Sequence, residues 1–218
     1  RPRLASVPEP ALRATPAAST SPSVSVSRPT SGTAPPTGSL ARVLLPLGLF
    51  TLGNASDVFL LMKAGAERAP LASLPLLWLA LHLVKTVASV PAGRLADRWG
   101  RRKTIALGWL VYALVYVGFG LAEGPTAVAA LFVVYGLFHA LTEGAERALI
   151  AELAPAARLG TAFGLYHLVL GLAALAASVL FGALWEVHGP RTAFFTSAAL
   201  ALAATLALAA LAPRADRA

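Results

Sequence analysis

The sequence predicts an all-α integral membrane protein with six transmembrane helices, and three observations support this prediction. Hydrophobic residues make up 57% of the 218 residues, charged residues only 13%, and the mean hydropathy is +0.70. Soluble domains usually carry about a quarter charged residues. From residue 43 onward, apolar stretches long enough to cross about 30 Å of hydrocarbon alternate with short polar breaks. Lysine and arginine collect in those breaks, as topogenic charges do, which argues against nucleic-acid binding.

The first 41 residues differ in composition from the rest of the chain. Residues 1–41 are rich in Pro, Ser, Thr and Ala. Such a segment buries too little apolar surface to offset the entropy of ordering, so we predict a disordered cytoplasmic linker. Residues 42–212 are the predicted six-helix bundle, and residues 213–218 a cytoplasmic tail. Because the chain begins with Arg1 rather than Met, we expect it to be a piece of a longer protein.

The positions of the polar breaks define where each predicted span begins and ends. The predicted breaks are Lys63–Pro70, Gly93–Lys103, Ala122–Pro125, Glu146–Thr161 and Glu186–Arg191. The predicted spans between them are Val43–Met62, Leu71–Pro91, Thr104–Leu121, Ala127–Ala145, Ala162–Trp185 and Ala193–Leu211. Each is long enough to cross the hydrocarbon core of a bilayer.

The distribution of basic residues supports six spans with both termini cytoplasmic. With six spans, the N-terminal segment, the second and fourth breaks and the C-terminus lie on one side of the membrane. That side holds 14 of the 18 Lys and Arg residues, and the opposite side holds only Lys63, Arg68 and Arg191. An excess of Lys and Arg in short loops marks the cytoplasmic face. Five or seven spans would break the alternation.

Polar residues inside the spans are unevenly distributed. The first, second, fourth and fifth spans contain charged residues or histidine, whereas the third and sixth contain neither. Ionisable groups within a membrane usually face a cavity or a partner. We therefore expect four helices to line a polar interior and two to face mainly lipid.

Asp57, Asn54 and Lys85 are three of the four candidate transport or proton-coupling residues in the first two spans. Asp57 in the first span is the strongest of them, because a carboxylate at that depth has a high desolvation cost and is a plausible proton carrier. Asn54 lies one turn before it. Lys85 in the second span lies deeper toward the cytoplasm, so a direct pair with Asp57 requires tilt or an unwound segment. The alternative for Lys85 is snorkelling toward the cytoplasmic headgroups.

Histidine and glutamate supply the remaining candidates. His139 and Glu143 are four residues apart on the fourth span, and the spacing predicts a polar ladder that continues to Arg147. His82 lies near the middle of the second span. For His82 and His139 the alternative is a structural hydrogen bond to a neighbouring helix. For Glu143 the alternative is a place in a charge network that anchors a loop.

The break between the second and third spans resembles a known signature. The segment Gly93-Arg94-Leu95-Ala96-Asp97-Arg98-Trp99-Gly100-Arg101-Arg102-Lys103 is similar to the cytoplasmic loop between the second and third helices of each half of major facilitator superfamily transporters. The resemblance covers about residues 41–212. It implies one half of such a bundle, the C-terminal six-helix half, in a bacterial plasma membrane. It further implies a conformational latch formed by Gly93, Asp97, Arg98, Gly100, Arg101, Arg102 and Arg147, with Arg147 or Glu146 as the partner of Asp97 within this half.

The expected function is secondary active transport of a small molecule by alternating access, with proton coupling and efflux by antiport as further expectations. The expected partners are the small-molecule substrate, the lipid bilayer, and either the N-terminal six-helix half or a second copy. Nucleic acid and cofactors are not expected. The alternative is a non-transporting scaffold or a half-transporter remnant. An enzyme is disfavoured because the sequence lacks a Gly-x-Ser-x-Gly elbow, a His-Glu-x-x-His helix and paired catalytic aspartates.

Overall fold

The computed structural model describes residues 37–211, and these residues form helices joined by short turns, with no strand among them. The helices are α1 (Thr37–Gly53), α2 (Val58–Ala66), α3 (Leu74–Trp99), α4 (Arg101–Leu121), α5 (Pro125–Leu153), α6 (Leu159–His188) and α7 (Pro190–Leu211). Single 3-10 turns occur at Leu71–Ser73 and Ala156–Arg158. With α1 and α2 counted together, six apolar segments are long enough to cross a membrane, which confirms the predicted all-α class.

The predicted domain bounds fall partly outside the described residues. Residues 1–36 of the predicted linker and the whole predicted tail lie beyond them. The first helix begins at Thr37, inside the stretch assigned to the linker. This helix start lies about one helical turn before residue 42, where the predicted bundle begins.

The break at Gly93–Lys103 was predicted as a loop, and this prediction is wrong. Helix α3 continues to Trp99, α4 begins at Arg101, and Gly100 alone separates them with a φ of 91°. Between Gly93 and Gly100 the sequence has no helix breaker, and Arg, Leu and Ala are good helix formers. Helix α5 likewise runs through the first half of the fourth predicted break, to Leu153. Charge marks where a helix leaves hydrocarbon, not where it ends.

The first span was predicted as one continuous helix, and the structure interrupts it. Helix α1 ends at Gly53 and α2 begins at Val58, so that residues 54–57 are not helical. This segment reads Asn-Ala-Ser-Asp. Ser, Asn and Asp compete with the helix by hydrogen bonding to nearby backbone groups, and the preceding glycine has low helix propensity.

The third span is the most buried of the six, which corrects the expectation that it faces mainly lipid. Half of the residues in its most apolar stretch are buried, against 6% in the second span and 11% in the fifth. Four aromatic residues of α4, Trp109, Tyr112, Tyr116 and Phe119, are fully buried. Trp109 stacks on Phe50 of α1 with ring centroids 4.6 Å apart. The absence of charge in the predicted third span, Thr104–Leu121, thus reflects burial within the protein.

Close approach of α3 and α5 positions the polar residues described below. A Cβ added at Gly136 of α5 would lie 2.8 Å from the backbone oxygen of Leu81 and 2.8 Å from Cβ of Val84, both on α3. Only a residue without a side chain permits this distance. The contact lies one turn before Lys85 on α3, and it brings that lysine within reach of α5.

Polar contacts join neighbouring helices at each end of the bundle. We call these ends the Gly100 end and the Gly124 end, after the glycine that lies at each. At the Gly100 end, Arg101 forms an ion pair with Glu152 of α5, and Nη2 of Arg102 donates to the carbonyl oxygen of Leu208 on α7 at 2.9 Å. At the Gly124 end, Glu67 accepts hydrogen bonds from Lys63 Nζ at 2.6 Å and from the backbone N–H of Gly124 at 2.8 Å. Both bonds favour the charged form, so the pKa of Glu67 lies below its ordinary value.

Candidate functional site

The interruption of the first span is held by two tyrosines from neighbouring helices. The hydroxyl of Tyr112 on α4 donates to the carbonyl oxygen of Gly53 at 2.9 Å, where α1 ends. The hydroxyl of Tyr135 on α5 donates to Asp57 Oδ1 at 2.7 Å, just before α2 begins. Both tyrosines are fully buried. The non-helical segment is therefore braced at each end, and the backbone carbonyl freed by the break at Gly53 has a partner.

His139 lies between two carboxylates. Its Nε2 is 3.8 Å from Asp57 Oδ2, and its Nδ1 is 3.2 Å from Glu143 Oε1. The first distance is too long for a hydrogen bond, and the second is within range. One ring nitrogen therefore faces each carboxylate, but only Nδ1 is within hydrogen-bond distance, and the buried Nε2 has no hydrogen-bond partner among the described residues.

Glu143 joins α3 to α5. Its Oε1 lies 2.5 Å from Lys85 Nζ, and its Oε2 lies 3.8 Å from Arg147 Nη2. The predicted ladder of His139, Glu143 and Arg147 along α5 is thus present. Lys85 pairs with Glu143 across the helices, and within the described part of the chain neither Lys nor Arg forms an ion pair with Asp57.

Two predicted site residues, His82 and Asn54, form no side-chain hydrogen bond or ion pair with Asp57, His139 or Glu143 within residues 37–211. His82 is exposed on α3, and its Nδ1 lies 2.9 Å from the carbonyl oxygen of Trp78 on the same helix. Asn54 lies in the interrupted segment, and its Oδ1 is buried without a hydrogen-bond partner in that same range. We define the polar cluster as Asp57, Tyr135, His139, Glu143, Lys85 and Arg147.

The signature segment divides into two groups of side chains. Arg101 and Arg102 fasten α4 to α5 and α7, as described above. Asp97 and Arg98 are exposed at the end of α3, and Asp97 makes no hydrogen bond or ion pair with any residue in 37–211. The partners predicted for Asp97 are engaged elsewhere in this structure, since Arg147 contacts Glu143 and Glu146 contacts Trp109 and Tyr166.

The two glycines of the signature lie in different surroundings. Gly93 lies inside α3, and a Cβ added there would meet no atom within 4 Å, so it allows no close backbone packing. Gly100 has positive φ, a conformation that residues with a side chain rarely adopt. Of the pair, only Gly100 is needed for the turn.

Sequence analysis missed Tyr135, although a signal for it exists. Tyr135 precedes His139 by four residues and Glu143 by eight, so that all three lie on one face of α5. Tyr112 has no such signal, because its role depends on where α1 ends.

The arrangement of the described residues is typical of a polar site in a membrane and not of a metal site. Within residues 37–211, no group of three His, Cys, Asp or Glu residues is placed to hold a metal ion. The cluster combines two carboxylates, an imidazole, an ammonium group and a guanidinium. One of the carboxylates, Asp57, lies in the helix break and is held there by the hydroxyl of Tyr135. A sequence profile described as Major Facilitator Superfamily matches residues 38–218.

The chain belongs to the major facilitator superfamily.

Several curated proteins are similar to this member of the superfamily. An uncharacterised MFS-type transporter of Methanocaldococcus jannaschii is 30% identical over 73% of the chain and 42% of its own length. The tetracenomycin C resistance and export protein of Streptomyces glaucescens is 31% identical over 57% of the chain and 23% of its own length. An uncharacterised MFS-type transporter of Bacillus subtilis is 34% identical over 51% of the chain and 27% of its own length. The chain spans less than half the length of these relatives.

Proposed function

We propose that this chain is the C-terminal half of a secondary active transporter that moves a small molecule by alternating access, with proton coupling. The observation that carries the proposal is the interrupted first span, whose Asp57 is held by Tyr135 and lies 3.8 Å from His139. In secondary transporters, substrate and ion sites typically occur at discontinuous helices near the middle of the membrane. The superfamily and the names of the relatives support a transporter.

Proton coupling is supported by the order of groups along α5. Asp57, His139 and Glu143 form a series in which each imidazole nitrogen faces a carboxylate. A proton on Asp57 gains a route through the imidazole to Glu143 once the 3.8 Å gap between Oδ2 and Nε2 shortens to hydrogen-bond distance. Lys85 and Arg147 compensate the charge of Glu143. Asp57 has no basic partner of this kind among the described residues, so it is the member free to exchange its proton with the pathway.

The second half of the pathway is proposed to come from an N-terminal six-helix half or from a second copy. Helices α3 and α6 lie in the least buried spans, and they expose apolar residues such as Leu83, Val87, Leu168, Leu172 and Leu175 along their lengths. Such faces suit packing against another bundle or lipid. The similarity to an export protein favours efflux as the direction of transport. The proposed location is a bacterial plasma membrane, and the distribution of Lys and Arg favours both termini in the cytoplasm.

The test of proton coupling uses the full-length protein in vesicles, with and without an imposed proton gradient. Asp57→Asn keeps the size of the side chain and removes its ability to carry a proton. We expect gradient-driven transport to fall by at least about tenfold, since loss of one essential proton-transfer group typically costs about 10²–10⁴ in rate. Glu123→Gln, at an exposed carboxylate near the Gly124 end, is the matched control. Undiminished gradient-driven transport by Asp57→Asn would overturn the proposal.

The latch is tested separately. We propose that exposed Asp97 and Arg98 contact the other half in one conformation, while Arg101 and Arg102 hold α4 to its neighbours. Asp97→Asn should then lower the transport rate and leave membrane insertion intact. A normal rate would show that the segment serves topology alone.

A further inference from the structure

Glu146 is a buried carboxyl group that the proposed transport pathway does not use. It lies on α5 three residues after Glu143, and it is 8% exposed. The buried charged residues of the described chain are Lys63 and Glu146, and Lys63 pairs with Glu67. Glu146 forms no ion pair with any described residue. An unpaired buried charge is costly, so this position requires a physical explanation.

Uncharged donors from two other helices surround the carboxyl group. The hydroxyl of Tyr166 on α6 donates to Oε2 at 3.1 Å, and Nε1–H of Trp109 on α4 donates to Oε1 at 3.4 Å. The charged groups that act on it are Glu143 and Arg147 of its own helix, with opposite signs. Hydrogen bonds from neutral donors only partly offset the cost of a buried carboxylate, which protonation removes.

Helix α6 has few fully buried residues at the Gly100 end, where the partly buried Phe163 and Leu170 also pack against the core. Its buried residues are Ala162 and Tyr166 near that end and Ala177 and Phe181 farther along, with none buried between Tyr166 and Ala177. Of the near pair, only Tyr166 makes a side-chain hydrogen bond, and its acceptor is Glu146. Trp109, by contrast, is fixed against Phe50. If the Gly100 end of α6 moves away, the bond from Tyr166 breaks and water reaches Glu146.

We propose that Glu146 is a second proton-binding site of this half, one that binds a proton while the Gly100 end of α6 packs over it and releases the proton when that end moves away. The carboxyl O–H bond breaks in the displaced state, and the proton passes to water at the Gly100 end. Because the two states differ in the solvation of Glu146, they differ in proton affinity, and pH shifts the balance between them. The inference deepens the proposed transport function and rests on it, since it links motion of α6 to proton release.

The test measures the position of α6 without measuring transport. The chain contains no cysteine, so Ala162→Cys introduces a thiol at a buried site on α6, one turn before Tyr166. Labelling by a maleimide is followed in the full-length protein in vesicles. The rate is divided by that of Leu159→Cys, an exposed position on the same helix, which accounts for the pH dependence that the two thiols share. The same ratio measured in Glu146→Gln accounts for the remaining difference between the two thiols. We expect this ratio to rise by about fivefold or more between about pH 6 and about pH 9.

Two variants and one control decide the outcome. Glu146→Gln stays neutral, so its ratio should lack the rise between about pH 6 and about pH 9 that the parent shows. Tyr166→Phe keeps the ring and removes the donor, so the ratio should reach a higher plateau at alkaline pH. Glu123→Gln, an exposed carboxylate at the other end, should keep the parent profile. A parent ratio independent of pH, a parent-like profile in Glu146→Gln, or an unchanged plateau in Tyr166→Phe would each overturn the proposal. Absence of transport with these labelling results intact would contradict the proposed function alone.

Discussion

The hydroxyl of Tyr135 donates a hydrogen bond of 2.7 Å to Asp57 Oδ1 and so joins α5 to the non-helical segment of the first span. One turn farther along α5, His139 reaches the other oxygen of the same carboxylate at 3.8 Å. A single face of α5 therefore sets the environment of Asp57. The pair also gives the interrupted span a defined geometry, because Tyr135 is fully buried and packed against Phe138.

Removing the Tyr135 hydroxyl should affect both stability and transport. Tyr135→Phe keeps the ring and leaves Asp57 Oδ1 without its donor, so the free energy of unfolding should fall by about 1–3 kcal/mol. Thermal unfolding in detergent measures this loss. Because Tyr135 positions the carboxylate proposed to exchange protons, the pH profile of transport should also change.

Tyr112→Phe is the matched control for that substitution. It removes a buried hydroxyl from the other side of the break, where the acceptor is the backbone of Gly53 rather than Asp57. We expect a similar loss of stability with an unchanged pH profile. Equal profile shifts in the two variants would show that the bond from Tyr135 only braces the backbone.

The contact between Lys85 and Glu143 should appear as energetic coupling. Their side chains are 30% and 34% exposed, so water screens part of the attraction, and the coupling should be about 0.5–1 kcal/mol. Lys85→Met and Glu143→Gln should therefore destabilise the protein together by less than the sum of their separate effects. Glu143→Gln should cost more alone, because Glu143 also contacts His139 and Arg147. Strict additivity in thermal unfolding would contradict a direct pair.

The two signature glycines should respond oppositely to alanine. Gly100→Ala places a side chain at φ 91° and should destabilise the protein by about 1–2 kcal/mol. Gly93→Ala adds a methyl group inside α3 where no atom lies within 4 Å, and should stabilise it by about 0.5–1 kcal/mol. Melting temperatures of the two variants measure the difference. Destabilisation by Gly93→Ala would indicate a close packing partner outside the described residues.

Acid should weaken the contact at the Gly124 end through Glu67. Lys63 and the N–H of Gly124 lower the pKa of Glu67 in the folded protein below its ordinary value of about 4.5. The stabilising contribution is therefore complete above that ordinary value and is lost as the pH falls through the lowered folded value. The melting temperature of Glu67→Gln should be below that of the parent at neutral pH, and the difference should shrink on acidification. Glu123→Gln, one residue before Gly124, should show no such change; if it does, the effect belongs to the loop as a whole.

The sequence predicted the spans better than their boundaries. Six apolar segments are present in the predicted order, because the cost of exposing backbone to lipid forces long helices wherever the sequence is apolar. The Gly93–Lys103 segment shows the limit of this reasoning, since its charges exclude hydrocarbon but do not break a helix. The interruption at residues 54–57 was missed for the opposite reason, because a short polar stretch changes mean hydropathy little while it competes with helical hydrogen bonds.

Candidate residues were found singly, and their partners were not. Asp57, Lys85, His139 and Glu143 stand out as ionisable groups in apolar spans, and the ladder along α5 follows from a spacing of four. The exposed position of His82 and the internal contacts of Arg101 and Arg102 have no counterpart in the local sequence. They depend on which way each helix is rotated in the bundle.

The sequence by itself determined that the chain is a six-span helical membrane protein and which polar residues its spans contain, because hydropathy and helical periodicity are local properties. Only the tertiary structure decided that Tyr135 meets Asp57, that Lys85 meets Glu143, and that Glu146 is enclosed by Trp109 and Tyr166. Lys85 and Glu143 are 58 positions apart along the chain. Their contact depends on the close approach of α3 and α5 at Gly136, which is set by the packing of whole helices.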